Sequence, residues 1–409
     1  MSIITLFSGT FCNQEAVVCD IMESTGYRHI TDEMITNHAS ELSGIEKHKI
    51  QRAFSSKTSV FNPFTHEKEQ AIAYLRLALA NLLDNKTIIS GFCGLLVPPG
   101  ATHVLRICLI AKTEFRLEMA RSEAKLSHED AGKAISQDDM DRSAWTNTLF
   151  SLTDPWNPDL FDMVLPMGKT VPRKAVALIE ENLLKSVVRQ TQASRAVLDD
   201  FLVAAQTEVA LVNMGHNVGV HAKDGIVELT INKQVLMLSR LEEDLQTIAG
   251  KVPGVKSVTT RVRQPDSLCS SYHRHNSAMP SKVLLVDDER EFVQTLSERL
   301  QMRDIGSAVA YDGESALELV HNDAPEVMII DLKMPGIDGM QVLQQVKRSR
   351  PEIEIIVLTG HGSEQDKEKC MELGAFAYMQ KPVDINVLSD ALNDAHQKVK
   401  SSEQKAGMA

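Results

Sequence analysis

Four polar groups in the last third of the chain each stand at the end of a short apolar run. Asp287 and Asp288 follow Val283-Leu284-Leu285-Val286, and Asp331 follows Val327-Met328-Ile329-Ile330. Thr359 follows Ile355-Ile356-Val357-Leu358, and Lys381-Pro382 comes just after Phe376-Ala377-Tyr378-Met379. Runs this short and this apolar read as buried strands. In an open parallel sheet the strand C-termini converge on one edge, which is where ligands bind. Three carboxylates gathered there would repel one another unless a cation sat among them. Hard oxygen donors of this kind suit Mg²⁺, which keeps several waters and accepts phosphate oxygens.

The elements that must position these groups are alternating strands and helices, and their motifs follow one another in a fixed order. Val286-Asp287-Asp288-Glu289 supplies an acidic pair. Asp331-Leu332-Lys333-Met334-Pro335-Gly336-Ile337-Asp338-Gly339 has the pattern D-x-x-M-P-x-x-D-G. Thr359-Gly360-His361 joins a hydroxyl to a small neighbour, and Lys381-Pro382 closes the set. On these motifs, residues 281–398 resemble the receiver domain of bacterial response regulators. The resemblance implies a doubly wound (βα)5 fold in which Asp331 attacks a phosphohistidine and becomes an aspartyl phosphate. It implies Mg²⁺ held by Asp287, Asp288, Asp331 and the backbone carbonyl of Lys333. Lys381, set by a cis bond before Pro382, would face the phosphoryl oxygens. Thr359 and Tyr378 would form a two-state switch, with Tyr378 moving from exposed to buried. The implied partners are a sensor histidine kinase or phosphotransfer protein, and a second copy in a homodimer formed through the receiver.

Composition sets the frame. The chain has 409 residues, 43% of them hydrophobic and 24% charged, which are ordinary globular values and leave room for several domains. A formal net charge of −12 speaks against a general nucleic-acid surface, so no direct DNA binding is expected. The six cysteines show no C-x-x-C spacing, which points to reduced thiols. Met1-Ser2-Ile3-Ile4-Thr5-Leu6-Phe7 has no basic start and reads as a first strand, not a signal peptide. No apolar run is long enough for a membrane span. A cytoplasmic location is the expectation.

Upstream of the acidic motifs, residues 264–280 are polar and aperiodic and read as a linker; His273 and His275 within it lack the further ligands a metal site needs. Residues 399–409 read as a flexible tail. No DNA-binding domain follows the receiver, so output is expected from residues 1–263 or from a docking partner. Residues 195–263 show a helix around Leu198–Asn213, then Val218–Ala222, and Asp224-Gly225 as a hairpin turn. Ile226–Ile231, a helix over Gln234–Lys251 and a strand over Ser257–Val262 complete an α-β-β-α-β order. With its D-G-x-V-x-L and V-P-G-V stretches it resembles a BON domain, which implies phospholipid or protein binding, often outside the cytoplasm; since the start does not read as a signal peptide, a passive interaction or spacer module is the expectation.

Residues 1–190 open with the strand Ile3–Phe7, a turn through Gly9 and Thr10, and the helix Ala16–Thr25, the layout of a nucleotide-binding loop. Strands at Thr87–Ser90 and Val104–Ile110, helices at Phe115–Arg121 and after Ser127, and a strand entering at Asp159–Leu165 follow. This order resembles the cytidylate kinase-like family of nucleoside monophosphate kinases. The chain departs from that pattern where phosphate is gripped. Asn13-Gln14 stands where Gly-Lys or Gly-Arg is expected, no lysine precedes Lys47, and Gly91 is followed by Phe92. Ser136 and Met140 replace expected arginines, although Arg142 is kept. Phosphoryl transfer rests on such positioning and charge, so the domain reads as a degenerate P-loop kinase-like α/β fold. Gly9, Thr10, Arg106 and Arg142 would form a vestigial nucleotide site. Met167-Gly168-Lys169-Thr170 imitates a phosphate loop, but Met163 stands where the first glycine belongs. The segment 173–190 is expected to be a helix with Val176, Ile179, Leu183 and Val187 facing the core.

The resulting expectation is a multidomain α/β signalling protein with its phosphoacceptor at Asp331 and no catalytic activity in its first domain. Two alternatives remain open at this point: an active nucleoside monophosphate kinase regulated by the receiver, and a phosphorylation-independent scaffold.

Overall fold

The computed structural model describes residues 2–57, 59, 61–231, 238–262, 280, 282–301, 303, 305–360 and 362–406. His273, His275, Cys269, His361 and most of the expected linker lie outside the described residues. Two compact units result, one from Met1–Thr58 and Lys68–Ser271, the other from Ser59–Glu67 and Tyr272–Ala409.

The first unit is built on a parallel sheet of β1 (Ile3–Ser8), β2 (Arg28–Thr31), β3 (Thr87–Ser90), β4 (Val104–Ile110) and β5 (Met163–Pro166), in the order β2-β3-β1-β4-β5. All six residues of β1 are buried, as expected of a central strand covered on both faces. Its side chains divide between two cores: Ile3 joins Ile30, Ile89 and Val104, while Ile4 and Leu6 join Ile88, Leu105 and Ile107. The helix Gln14–Thr25 lays Val17, Val18 and Ile21 on the second core and ends at Gly26, whose positive φ of 67° closes it in the left-handed conformation. The helix His128–Phe150 is capped by Ser127, which accepts from the backbone N–H of Asp130. The helix expected over 173–190 stops earlier, spanning Pro172–Leu183. Val187, expected to face the core, falls in the short turn Ser186–Val188 and is 73% exposed; Val188 is the buried residue there, because the helical period has already ended.

A smaller sheet of β6 (Gly219–Lys223), β7 (Ile226–Ile231) and β8 (Ser257–Val262) follows in the same unit. β6 and β7 pair antiparallel around Asp224-Gly225, both with positive φ, the backbone that a two-residue hairpin requires. β8 runs parallel to β7, and Val227, Leu229 and Ile231 are fully buried on one face. The helices are Gln192–Asn213, capped reciprocally by Thr191 and Ser194, and Leu238–Ala249.

The second unit carries β9 (Val283–Val286), β10 (Ser307–Ala310), β11 (Val327–Ile330), β12 (Glu354–Thr359) and β13 (Ala377–Gln380), all parallel, in the order β10-β9-β11-β12-β13. Side chains alternate between two cores. Leu284, Val286, Met328, Ile330, Ile355 and Val357 face one; Val283, Leu285, Val327, Ile329, Ile356 and Leu358 face the other. This is the doubly wound arrangement, and strand order reverses between β9 and β11. Phe61, from the Ser59–Glu67 segment, is fully buried in the first of these cores. The last helix, Ile385–Ala406, runs on through residues that sequence reading assigned to the tail. Among the described residues no helix is long and apolar enough to cross a membrane.

Candidate functional site

Because β9 and β11 are neighbours in register, the residues just beyond their C-terminal ends must meet. Asp287 and Asp331 are 4% and 7% exposed, and Asp288 is exposed beside them. One carboxylate oxygen from each lies within 4.8 Å of the other two. Asp331 is fixed from both sides. Its backbone N–H donates to the Val286 carbonyl at 2.9 Å, and its Oδ1 accepts from the Leu332 N–H at 2.8 Å. Asp287 accepts from the Glu289 N–H at 3.0 Å.

The end of β13 brings the cation. Lys381 Nζ lies 2.6 Å from Asp287, 3.2 Å from Glu289 and 3.7 Å from Asp331, with the Phe292 ring 4.3 Å beneath it. Its backbone N–H donates to the Thr359 carbonyl at 2.9 Å, and the bond to Pro382 is cis. Burial alone would lower the Lys381 pKa; the hydrogen bond and charge of Asp287, with the charge of Asp331, outweigh it and hold the ammonium protonated. Burial pushes the Asp287 carboxyl up, against the pull of Lys381, and the Asp331 charge pushes the same way. The two directions are compatible: Lys381 answers to several carboxylates, whereas Asp287 has one ammonium and a like charge beside it. A divalent cation would relieve that excess, and three convergent carboxylates are the donor chemistry it needs. Lys333 follows Asp331 by two positions on the loop to the helix Gly339–Ser349.

A carboxyl raised in the fold costs stability above its folded pKa, and the cost disappears as pH falls below it. Asp287→Asn is therefore expected to raise the melting temperature of the metal-free protein near neutral pH, a gain that fades in acid. Thermal melts in EDTA at the two pH values check this; a lower Tm for the variant near neutrality would mean that the Lys381 ion pair outweighs burial.

Thr359, the last residue of β12, is fully buried, and Tyr378 on β13 is half-buried. The Tyr378 hydroxyl is enclosed and has no partner among the described residues. A Cβ on Gly362 would lie 1.6 Å from that hydroxyl, so the glycine makes the room it occupies. The structure thus has the ring hydroxyl turned inward beside Thr359.

In the first unit, Gly9, Thr10 and Arg142 come together at the C-terminal end of β1. The Thr10 hydroxyl donates to Asp138 Oδ2, the same oxygen that Arg142 Nη1 engages. Arg106 is not part of this group. It pairs across the sheet with Thr5, short of the strand end, and its guanidinium donates to the carbonyls of Pro98 at 2.7 Å and Val104 at 3.3 Å. Its place is taken by Arg116, 5% exposed, which donates to the Thr10 carbonyl at 2.8 Å and to both Asp139 oxygens at 2.8 Å. Sequence reasoning passed over Arg116, Asp138 and Asp139. The four-residue spacing of Asp138 and Arg142 on one helix was a usable signal; nothing in spacing links Arg116 to Asp139.

Residues 3–169 match the cytidylate kinase-like family, and residues 283–393 match the response regulator receiver domain. Among solved structures, the chain is similar to a response regulator receiver domain protein from Clostridium thermocellum at 33% identity, over 29% of this chain and 96% of that one, with a TM-score of 0.28. It is similar to the receiver domain of a Francisella response regulator at 28% identity, over 29% and 98%, with a TM-score of 0.28. It is also similar to the receiver domain of NtrX from Brucella abortus at 26% identity, over 28% and 98%, with a TM-score of 0.27. With an acidic cluster at the β9–β11 reversal, a lysine against it and the receiver-domain family match over the same residues, residues 283–393 of this chain form a response regulator receiver domain.

Proposed function

We propose that the chain accepts a phosphoryl group on Asp331 from a phosphohistidine of a sensor histidine kinase or phosphotransfer protein. The observation that carries this reading is the placement of Asp331: nearly buried, at the strand-order reversal, with Lys381 Nζ 3.7 Å away. An Asp331 oxygen forms the new bond to phosphorus as the N–P bond breaks. The imidazole leaves with the electron pair and is protonated. Mg²⁺, held by Asp287, Asp288, Asp331 and the backbone carbonyl of Lys333, supplies positive charge to the phosphoryl oxygens when bound. Lys381 adds a fixed charge beside them. Thr359 donates its hydroxyl to the new phosphoryl group, which holds Tyr378 in the inward position that it already takes in the space left by Gly362. The altered face then changes contacts with partner proteins, including a second copy of the chain, rather than with DNA. The kinase-like unit serves without phosphoryl transfer, and residues 195–263 serve as a BON-like interaction or spacer module.

The test is intact-mass spectrometry with acetyl phosphate. One phosphoryl adduct is expected with Mg²⁺ and none in EDTA, together with slower hydrogen exchange over residues 359–381. An adduct formed equally well in EDTA, or exchange left unchanged by a stoichiometric adduct, would sink the metal or the switch part of the reading respectively.

A further inference from the structure

One helix of the first unit holds the chain on both sides of the segment that carries Phe61. On the near side the Ser56 N–H donates to Asp141 Oδ1 at 2.7 Å, and Gln137 Nε2 donates to Ser56 Oγ at 3.1 Å and to the same Asp141 oxygen at 2.9 Å. On the far side Lys68 Nζ donates to Thr148 Oγ1 at 3.0 Å. Gln137, Asp141 and Thr148 all lie on the helix His128–Phe150, with Asp141 and Thr148 separated by about 10 Å of helix axis. The same helix presents Asp138, Asp139 and Arg142 beside Thr10 and Arg116. Between the two fastenings, Ser59–Glu67 belongs to the second unit. Phe61 is fully buried in the core that holds Leu332 and Met334, on the loop after Asp331, and against which Tyr378 packs. The ends of the segment are stitched to one ion pair. The Ser59 hydroxyl donates to Asp323, Glu67 takes Lys282 Nζ at 2.7 Å, and Lys282 Nζ lies 3.7 Å from Asp323.

We propose that Ser59–Glu67 is a strap that carries the state of the receiver to the helix His128–Phe150. A packed core takes discrete arrangements rather than a continuous range. A change at Tyr378 or the acceptor loop therefore repacks side chains that share a core with Phe61. A loop free at one end would absorb the shift, whereas one fastened at both ends to a single helix passes it on. The coupling is reciprocal: what tightens the receiver core tightens the helix, and loosening the strap loosens both. The origin of the signal rests on Asp331 as phosphoacceptor; the strap itself does not.

The test is hydrogen exchange of the full chain, with intact mass read on the same samples, in two arms. Without acetyl phosphate, Phe61→Ala is expected to speed exchange over residues 137–148 at least about fivefold, the lower end of ordinary coupling between sites. Phe61→Leu, which leaves a smaller cavity, controls for folding of the receiver and should move exchange there in the same direction. With acetyl phosphate and Mg²⁺, the unaltered protein that carries its adduct is expected to exchange more slowly over 137–148, again by at least about fivefold. The double variant Gln137→Ala with Asp141→Ala, which frees one end of the strap, should lose that slowing while keeping the adduct and the slowing over 359–381. Exchange over 137–148 unmoved in whichever Phe61 variant keeps its receiver folded would overturn the proposal. So would an adduct with no slowing there, or a slowing that survives the double variant. An unaltered protein that takes no adduct would sink Asp331 as acceptor, and the first arm would then decide the strap alone.

Discussion

Asp331→Asn is expected to abolish phosphoryl uptake while leaving the fold intact. The amide is isosteric and keeps an oxygen for the Leu332 N–H, which donates to Asp331 Oδ1 at 2.8 Å. It is not a nucleophile toward phosphorus, and it withdraws one of the three carboxylates that converge within 4.8 Å. The two losses act on one step, so a rate reduction of at least about a thousandfold is expected with acetyl phosphate and Mg²⁺. Asp287 and Asp288 are not expected to substitute: Asp287 is committed to Lys381 at 2.6 Å, and in the proposed site both would hold the cation. Intact mass after incubation checks the result. A variant still taking up one phosphoryl group at the unaltered rate would place the acceptor on another residue.

Gly339→Ala is expected to be nearly as damaging, by a different route. Gly339 opens the helix Gly339–Ser349, which Asp338 caps through the Gln341 N–H at 2.8 Å. Its own N–H donates to the Leu332 carbonyl at 3.0 Å. A Cβ at this position would lie 1.9 Å from the backbone oxygen of Asp331 and 2.9 Å from Leu332 Cα. Both are main-chain atoms of a strand end, so no rotamer change relieves the overlap. Either the helix start or the acceptor must shift. We expect a stability loss of about 3 kcal/mol or more. Where the fold survives, phosphorylation should fall about a hundredfold, because the nucleophile is misplaced by a fraction of an ångström to an ångström. Urea unfolding and the initial rate with acetyl phosphate measure the two effects. A change below about 0.5 kcal/mol would show that the loop yields freely.

The acidic site was legible because its chemistry is tied to strand ends. Val283–Val286 and Val327–Ile330 are short apolar runs followed at once by the acids, and parallel pairing in register then forces Asp287 and Asp331 together. β10, Ser307–Ala310, carried no comparable signal: four small residues with no polar group of consequence at their end. The site in the first unit was legible only in part. Gly9, Thr10 and Arg142 do meet, but Arg106 points along its own strand to carbonyl oxygens. Position within a strand, not residue type, decides whether an arginine reaches the sheet edge. The partners of Arg116 and Arg142 lie on a long helix, and their approach to the Gly9–Asn13 loop depends on packing that no periodicity records. Val187 failed for the converse reason, since a helical stripe continues in sequence after the helix itself has stopped.

Phe61 has a consequence for how the chain is made. It is fully buried with Leu284, Val286 and Met328, yet it leaves the ribosome long before any strand of their sheet exists. Until β9 and β11 are synthesised, the core that buries this ring in the folded chain does not exist. Closing so long a loop carries an entropic cost that later contacts offset only once they form. The second unit is therefore discontinuous in time as well as in sequence. A piece of the gene beginning at the linker would encode all five of its strands but omit one of the largest fully buried side chains of the core they enclose.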